Sequence, residues 1–594
     1  MRSSKLLSAL LMAAQAAAQS YYDFGFDIHA AIANQTIGRR QSGNTIAVGQ
    51  LPRRQDGSLP ARLEIREMRQ NRYMWDLYIL ALSAMQAANQ NDPLSWYQVA
   101  GIHGVPFTPY NNVQPVSGAE QSGYCTHNSV LFPMWHRPYL ALYEQQLYTL
   151  ARSIAQQFSD PGYRQAASEF RIPFFDWSVS FPGQSFLPDS MWSPVINQPG
   201  PNGSQRIANP LYSYRFNPLN PSDMIWPPFT TWPETKRAPS GGGSNPPSNN
   251  AQVNGALLGQ LGSLQQRLYI LFTRYTNYNA FGSKAWAASQ GNAGWDSIES
   301  VHDVIHFFGG SGGHMGFVPV SAFDPLFFLH HANVDRMVAM WQILNGAAWM
   351  QPMQAGENGY TFTQGTWQTS SSPLTPFYDL NGNFYTSDSA RNWEQFGYTY
   401  VDADPSRIGL NQLQSNLRAN MNRWWGGSAF NGVQSRDESS AAGVAKNGNY
   451  TEWIANVVVD THALSTGPFK ISFFMGEKQD NSTLVGDVAM FSMPAMANTA
   501  APKSSSKSSS TIPLTAALTA LVKAGQLKSL DAQDVQPLLQ KSLKFQVVQA
   551  TGEKVDAAKV KGLGIQITSS EVALPKSDDE FPRWGDSVKR FDLY

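Results

Sequence analysis

The pattern of hydrophobic and polar positions along the 594-residue chain changes near Tyr400. Before this residue, apolar side chains recur at the three- and four-residue spacing of helices. Stretches rich in Pro, Gly, Asn and Ser, such as residues 180–250, predict loops. The helical segments are residues 61 into the 80s, 138–150, 257–278, 297–307 and 325–344, the last with Asp324 as its N-cap. The sequence therefore predicts a mainly helical first domain with long loops.

After Tyr400 the pattern is different. Residues 405–448 are polar, and they are followed by segments that alternate apolar and polar residues as strands do. These segments are Ile454–Asp460, Phe469–Met475 and Lys544–Ala550. A helical segment is expected near Leu514–Leu543, and the serine-rich tract that begins at Lys503 is expected to be flexible and exposed to proteases. The tail is therefore predicted to be a smaller β-rich domain.

These patterns divide the chain into five parts. They are a signal peptide at 1–18, an irregular arm or propeptide at 19–60, the first domain at 61–405, a linker at 406–449 and the β-rich domain at 450–594. The signal peptide has Arg2 and Lys5, then an apolar run, then the small residues Ala16–Ala18. No later run reaches about 18 apolar residues. We therefore expect a secreted protein with no membrane span.

Composition narrows the classes of function. Because 43 basic residues balance 43 acidic ones, nucleic acid and acidic surfaces are not expected partners. Glycosylation acceptor patterns agree with secretion, and they begin at Asn34, Asn202, Asn449 and Asn481. Extracellular proteins usually contain disulfides, yet Cys125 is the chain's single cysteine. We therefore expect Cys125 to serve chemistry beside His127 rather than a cross-link.

Eight of the ten histidines fall into two groups. They are His103, His127 and His136, and then His302, His306, His314, His330 and His331. His302 and His306 stand four residues apart, so a helix presents both rings on one face. Either His330 or His331, in the next helical segment, can complete a site of three imidazoles. Two histidine groups indicate two metal ions.

The donor types restrict the metal. Three neutral imidazoles suit zinc or copper, and copper binds such donors most strongly among divalent first-row metals. A hydrolytic dizinc site would normally recruit carboxylates, but Glu299 and Asp303 are not at an obvious ligand spacing. The sequence also lacks the His-Glu-x-x-His motif of zinc proteases at His302. Two such sites facing each other would bind a small ligand between the metals.

The run 127–139, the pair His302 and His306, and the run 324–336 resemble the copper-binding signatures of tyrosinases and related type 3 copper polyphenol oxidases. The resemblance covers roughly residues 60–405, and the layout resembles the long secreted fungal members. It implies a helical bundle around a binuclear copper site, followed by a β-rich domain. It also implies two copper ions as cofactor and O2 as co-substrate.

The resemblance also assigns roles to residues. The first copper would be held by His103, His127 and His136, and the second by His302, His306 and His331. His331 is preferred to His330 because the family motif uses the histidine seven residues after its aspartate. Cys125 would form a thioether to His127, and His314 would be a structural or pocket-rim residue.

By the same resemblance the enzyme oxidises o-diphenols to o-quinones and also hydroxylates monophenols. Glu299 would hold a water near the site. Many efficient hydroxylases have Asn where this chain has Asp303, which either accepts a proton or only adds charge. The substrate pocket would be lined by Phe307, Met315, Gly316, Phe317, Val318 and Phe327. Phe317 is bulky there, so large phenols would enter poorly.

The tail after the Tyr398-Thr-Tyr400 motif would cover the copper site and keep the enzyme latent until a protease removes it. An aromatic residue of the tail, such as Phe473 or Phe474, would then plug the pocket. Quinone products fit pigment formation or the oxidation of environmental phenolics. Three alternatives remain open at this point: a catechol or o-aminophenol oxidase without hydroxylation, a haemocyanin-like O2 carrier, and a dizinc hydrolase.

Overall fold

The structure is a computed structural model. It describes residues 21–32, 45–289, 296–427, 444–494 and 506–594. The predicted signal peptide, Asn34 and residues 503–505 of the serine-rich tract lie outside the described residues. None of the described helices combines the length and the apolar character that crossing a bilayer requires.

Helices dominate the chain as far as residue 427. In chain order they are α1 Ile28–Ile32, α2 Ile65–Gln70, α3 Arg72–Ala87, α4 Trp96–Gly101, α5 Phe132–Ala155, α6 Pro161–Glu169, α7 Asn250–Arg274, α8 Tyr278–Gly282, α9 Lys284–Ser289, α10 Ile298–Gly310, α11 Leu326–Leu344, α12 Ser387–Ala390 and α13 Leu410–Met421. Short hairpins decorate them: β1 Val195–Gln198 with β2 Gln205–Ala208, β3 Met353–Gln354 with β4 Trp367–Gln368, and β5 Pro373–Tyr378 with β6 Phe384–Thr386.

Helix α5 lies at the centre of the first domain. Nearly all of its 24 residues are buried, α3 and α11 pack along it, and α10 packs between α7 and α11. The sequence predicted that this helical segment would begin at Pro138. That prediction was wrong, because the apolar run Phe132–Trp135 extends the helix backwards and places Pro133 in the first turn. Pro138 therefore lies inside α5.

A buried ionic network fixes α11 against α5. Asp335 accepts hydrogen bonds from Arg137 Nε at 2.8 Å and from the hydroxyls of Tyr398 and Tyr400 at 2.6 and 2.8 Å. Arg62 pairs with the same carboxylate at 3.3 Å. Buried charges of this kind persist only when they are paired and hydrogen-bonded. The tyrosine motif thus locks the helix that carries the last two histidines of the second group.

The β-rich domain follows from residue 449. Its strands are β7 Asn449–Asp460, β8 Phe469–Met475, β9 Leu484–Met490, β10 Lys507–Pro513, β11 Leu543–Gln549, β12 Lys554–Val555, β13 Gly564–Ala573, β14 Arg583–Trp584 and β15 Val588–Asp592. They form two antiparallel sheets, one in the order β10-β7-β13-β14 with β15 also on β13, and one in the order β12-β11-β8-β9. Helices α14 Thr515–Lys523 and α15 Ala532–Ser542 lie between β10 and β11. The architecture is the predicted one, a helical domain followed by a smaller β-rich domain.

Two segments differ from their predictions. The predicted linker, 406–449, contains helix α13, whose Leu413, Leu417 and Met421 are buried. The serine tract was expected to be exposed, but Lys507–Pro513 forms an edge strand whose serines are buried against the helical domain. Serine composition indicated flexibility, whereas hydroxyl partners on the other domain hold these residues in place.

Candidate metal centre

Helices α10 and α11 bring the second histidine group together. His302 and His306 lie on one face of α10 with their ring centroids 4.4 Å apart, and His330 and His331 come from α11. One ring nitrogen from each of these four side chains lies within 4.8 Å of the others. His306 Nε2 and His331 Nε2 are 3.1 Å apart. The predicted convergence of the two helical segments is therefore present.

Loops position most of the first histidine group. His103 follows α4, and one nitrogen of His103, Cys125 Sγ and one nitrogen of His127 lie within 4.8 Å of one another. Gly123, at φ +72°, allows this approach, because a Cβ there would lie 2.4 Å from the carbonyl oxygen of His103. His136 joins from α5, with its Nε2 3.4 Å from Cys125 Sγ.

The two groups face each other. The ring of His136 stacks on that of His331 at 4.2 Å and 21°, and the ring centroids of His127 and His302 are 6.1 Å apart. All of these side chains are buried. One enclosed site therefore contains both groups.

The ring nitrogens of these histidines are arranged to bind metal ions rather than to hydrogen-bond to one another. Nδ1 of His136 and of His306 face the carbonyl oxygens of Phe132 and Met315 at 2.9 and 2.8 Å, so Nδ1 donates and Nε2 carries the lone pair. His302 Nε2 is buried without a hydrogen-bond partner. Buried polar atoms rarely lack partners. Convergent lone pairs without donors are the arrangement that a metal ion satisfies.

Burial also sets the charge of these rings. It lowers the pKa of His136 to about 4. Burial, together with the neighbouring histidines, holds the pKa of other members well below the ordinary value. These are His103, His127, His302, His306 and His331. Neutral imidazole is the form that ligates zinc and copper.

Two buried carboxyl groups, those of Glu299 and Asp303, lie in α10 beside the histidines of the second group. Glu299 Oε1 accepts from the N–H of Asn128 at 2.6 Å, and Oε2 accepts from the N–H of Lys284 at 3.0 Å. Burial raises the pKa of Glu299 to about 8. A carboxyl group whose pKa lies near neutral pH suits proton transfer.

Asp303 is engaged on both of its oxygens. Its Oδ1 lies 3.0 Å from His302 Nδ1, and its Oδ2 accepts from Lys284 Nζ at 2.7 Å. Burial raises the pKa of Asp303 to about 6, which still leaves the group ionised at neutral pH. Burial alone would lower the pKa of Lys284, but the Asp303 and Glu299 carboxylates outweigh it and raise that pKa. Asp303 and Lys284 therefore form a buried ion pair.

Phe491, directly after β9, covers the histidines. Its ring stacks on that of His306 at 4.1 Å and 13°, and lies 5.7 and 5.9 Å from the rings of His127 and His302. The aromatic over the histidines comes from the tail, as predicted, but it is neither of the two examples, Phe473 and Phe474. Both belong to β8, which pairs with β11, and the ring of Phe473 lies 6.4 Å from that of Phe545 in the same domain.

The predicted pocket residues lie in two places. Phe327 packs beneath the site, 4.1 Å from the ring of His331 and 4.9 Å from that of His103, and Met315 lies beside His306. Phe317 is half-buried and packs 4.9 Å from Phe229. The other predicted pocket residues, all buried, are Phe307, Gly316 and Val318. The ring of Phe327 contacts those of His331 and His103, and the main-chain carbonyl oxygen of Met315 faces His306 Nδ1.

His314 stands apart from the histidine groups. Its Nδ1 accepts from the N–H of Lys236 at 3.0 Å, and its ring lies 4.8 and 5.6 Å from those of Phe229 and Trp232. It is buried, and its surroundings agree with the structural role that was expected.

Sequence reasoning missed Lys284 and Phe491. Lys284 lies outside every motif, and its partner Asp303 is 19 residues away in sequence. Phe491 follows an ordinary strand pattern, so its position over His306 depends on how two domains meet. Asn128 was also missed, although its place directly after His127 was a usable signal; it adopts a positive φ of 51°, which Asn tolerates better than most residues.

Comparisons with known proteins agree with this geometry. Residues 93–344 match the common central domain of tyrosinase, and residues 452–567 match the tyrosinase C-terminal domain. A tyrosinase from Neurospora crassa is 30% identical over 646 aligned residues, which cover 88% of this chain and 93% of that protein. Polyphenol oxidase 3 from Agaricus bisporus is 33% identical over 59% of this chain and 62% of its own length.

Solved structures are similar across both domains. A mushroom tyrosinase crystallised with latent and active forms together superposes with a TM-score of 0.77 at 27% identity, covering 92% of this chain and 98% of that one. A pro-tyrosinase mutant from Aspergillus oryzae, at 22% identity and a TM-score of 0.71, covers 93% and 98% and shares the fold. The chain therefore belongs to the tyrosinase family, oxidoreductases that use a binuclear copper centre and O2 to oxidise phenols.

Proposed function

We propose that the chain is a secreted polyphenol oxidase that converts o-diphenols to o-quinones and also hydroxylates monophenols. The observation that supports this most strongly is the convergence of buried, neutral imidazoles from two facing groups. The proposed ligands are His103, His127 and His136 for one copper and His302, His306 and His331 for the other. When bound, the copper pair supplies the redox chemistry with O2, and the protein supplies orientation, exclusion of water and proton transfer.

The positions of the two adjacent histidines favour His331 over His330 as a ligand. The ring of His331 stacks on that of His136 and lies 6.4 Å from that of His103, so it lies between the two groups. The ring of His330 lies behind that of His302 at 5.1 Å and packs 5.8 Å from Trp177. His330 therefore belongs to the wall of the site.

The ring of Phe491 marks the place that a phenol would take. Its parallel stacking on His306 at 4.1 Å is an arrangement that a flat aromatic substrate can reproduce. While Phe491 occupies this place, the substrate ring is excluded. Displacement of this segment, by a processing protease or by a change in conditions, would expose the site.

Glu299 is the proposed proton-transfer group. Its pKa of about 8 lets it exchange a proton with a phenol at neutral pH through a water held at its carboxyl group. Asn128 and Lys284 hold this carboxyl group through their main-chain N–H groups. Monophenols need such a group because only the deprotonated oxygen is a good metal ligand.

The second candidate function is a catechol or o-aminophenol oxidase without hydroxylation. One observation favours it: both oxygens of Asp303 are occupied, by His302 and by Lys284. If hydroxylation depends on a free base at this position, the chain lacks one. A dizinc hydrolase is not supported, because the described metal-binding groups contain histidines and Cys125 but no carboxylate.

Oxygen uptake separates the two candidates. The full-length Phe491→Ala variant, loaded with copper, receives phenol with a trace of catechol, and catechol alone serves as the control. Conversion of a monophenol to an o-quinone consumes one O2 and releases one water, whereas two molecules of catechol share one O2. Uptake approaching one O2 per phenol would support hydroxylation. No uptake beyond the primer, with catechol still oxidised, would make the second candidate correct.

Cys125 supports a thioether to His127. Its Sγ lies 3.6 Å from His127 Nε2 and 3.4 Å from His136 Nε2, so both rings are within reach, and the resemblance selects His127. Formation of a carbon–sulfur bond replaces one S–H and one C–H bond and releases two protons and two electrons, which O2 accepts to give hydrogen peroxide. Mass spectrometry of the 125–136 peptide would then show a loss of two hydrogens after copper loading, and an unchanged mass would contradict the cross-link.

Secretion and glycosylation are part of the proposal. The acceptor residues Asn202, Asn449 and Asn481 are exposed, as attached glycans require. The 27% identical mushroom tyrosinase has latent and active forms, and the cover by Phe491 gives this chain a physical basis for latency. Protein released into the medium, with a glycosidase-sensitive mass, would support these statements.

A further inference from the structure

Lys284 carries a buried ammonium group in the interior of the helical domain. It begins α9, and its side chain is 2% exposed. Its Nζ donates to Asp303 Oδ2 at 2.7 Å and lies 3.9 Å from Glu299 Oε1. A buried ammonium is retained only where it has ionic partners and hydrogen bonds. Both of these carboxyl groups belong to α10, the helix that carries His302 and His306.

The Lys284–Asp303 ion pair contacts His302, which is a proposed copper ligand. Asp303 bridges Lys284 and His302, because its second oxygen lies 3.0 Å from His302 Nδ1. A carboxylate at Nδ1 places the proton on that nitrogen and leaves the lone pair on Nε2. His302 Nε2 is buried and has no hydrogen-bond partner in the protein. Asp303 supplies the shorter and the only charged contact of His302 Nδ1 beside the Glu299 carbonyl oxygen, so the orientation of His302 depends in part on how Asp303 is held.

His136 and His306 use a main-chain carbonyl alone for this purpose, whereas His302 Nδ1 faces both the Glu299 carbonyl oxygen at 3.2 Å and the Asp303 carboxylate at 3.0 Å. His136 is held by the carbonyl oxygen of Phe132 and His306 by that of Met315. A main-chain carbonyl is fixed by the fold and carries no net charge. Asp303 is a rotatable, charged side chain, so it needs a second contact to fix it and a positive charge to balance it. Lys284 provides both.

We propose that Lys284 is a positioning residue for the second copper site: its ammonium fixes and neutralises Asp303, which in turn holds the ring of His302 with Nε2 directed at the metal. The proposal rests on the ligand set assigned under the proposed function. It also gives Asp303 a use other than that of a base for the substrate. The β-rich domain contacts the same unit, through Phe491 N on Asp303 Oδ2 at 3.3 Å and Ser509 Oγ on the Lys284 carbonyl at 3.0 Å.

A double-mutant cycle with copper retention as its readout tests this chain of contacts from Lys284 through Asp303 to His302, called the relay below. The full-length wild type, Lys284→Met, Asp303→Asn and the double variant are loaded with copper ions, dialysed against graded chelator and measured by elemental analysis. Removing a partner that orients a metal-ligating histidine typically lowers metal affinity 10–100-fold. We therefore expect Lys284→Met to lose one of its two copper ions at roughly 10–100-fold lower chelator concentration than the wild type.

The double variant distinguishes positioning from packing. It removes both charges, and an Asn at 303 keeps an amide oxygen that accepts from His302 Nδ1. Copper retention should therefore recover most of the loss caused by Lys284→Met. The matched control is Lys236→Met, which removes a lysine with a 3% exposed side chain, paired with Glu234 at 2.6 Å in the same domain. It should retain copper as the wild type does.

Three outcomes would overturn the relay. They are unchanged copper retention in folded Lys284→Met, a double variant that loses copper as readily as Lys284→Met does, and equal losses in Lys284→Met and Lys236→Met. If Lys284→Met does not fold, the double variant decides: two retained copper ions support the relay and one contradicts it. A wild type that never binds two copper ions would instead contradict the proposed function.

Discussion

The helical domain and the β-rich domain meet at the histidines but contribute different things. Among the described residues, the helical domain supplies every member of the two metal-binding groups, whereas the β-rich domain supplies the ring of Phe491 and the hydroxyls of β10. Helix packing and paired buried charges fix the histidines. The cover is held by the packing of the Phe491 ring on His306 and by hydrogen bonds of the β10 hydroxyls, each of which contributes only about 1 kcal/mol net. The metal-binding side chains are therefore fixed by the fold of the helical domain, whereas the segment of the β-rich domain that covers them can be displaced.

The largest effect should come from the helical domain. We expect His331→Ala to lose the second copper and more than about 100-fold of catechol turnover, because even the partners of metal ligands contribute 10–100-fold. The matched control is His330→Ala, which removes the neighbouring ring in the wall of the site and should lose much less. Elemental analysis and oxygen uptake check both variants. Greater copper loss in His330→Ala would reverse the ligand assignment.

Removing the ring that covers the site should have the next largest effect, and it should raise catechol turnover rather than lower it. Phe491→Ala deletes a 1% exposed ring, and deletion of a buried Phe costs about 3–5 kcal/mol of packing, so catechol turnover by the full-length chain should rise roughly 100-fold. Copper content should not change, because Phe491 is not a proposed ligand. Phe545→Ala, which removes a half-buried aromatic of the same domain, is the control. Equal activation by both variants would mean that loss of domain stability, not the plug, is responsible.

The comparison between domains also explains what the sequence could predict. Periodicity placed His302 and His306 on one helical face and predicted the helix of His331, because helical spacing is local information. The site at His103 and His127 requires a loop to fold back at Gly123, which the sequence did not predict, although the order of the histidines along the chain already grouped these two with His136. Lys284 and Phe491 depend on contacts between elements that are distant in sequence. Burial of the serines in β10 could not be predicted, because their partners lie on the other domain.

Single hydroxyls of β10 should have a smaller effect than the plug. Ser509 Oγ donates to the Lys284 carbonyl at 3.0 Å across the two domains. Loss of this bond in Ser509→Ala removes about 1 kcal/mol, which corresponds to about fivefold more of the open form and of catechol turnover. Ser482→Ala is the control, because its exposed hydroxyl bonds to Asp480 within the same loop. A rise in Ser482→Ala as large as that in Ser509→Ala would contradict a specific contact between the domains.

The smallest expected effect is a pH dependence of the cover. His462, after β7, pairs with Glu357 of the helical domain at 3.1 Å. Burial acts against the charged ring, but the Glu357 carboxylate outweighs it and raises the pKa of His462 above 6.5. The contribution of this pair to docking is therefore complete below about pH 6.5 and is lost as the pH rises through the raised pKa. Because the pair is partly exposed, it contributes less than about 1 kcal/mol.

Dividing the turnover of the wild type by that of Phe491→Ala at each pH separates the effect of His462 on the cover from the pH dependence of catalysis. The ratio of catechol turnover in the wild type to that in Phe491→Ala should rise by less than about fivefold as the pH increases through this window. In His462→Gln the ratio should be flat and should equal the high-pH value of the wild type. The pKa of Glu357 is held below 4.5 despite its burial, because His462 and Asn128 donate to it, so its own contribution is lost only at more acidic pH. A ratio in His462→Gln that still rises through the same window would show that another group controls the cover.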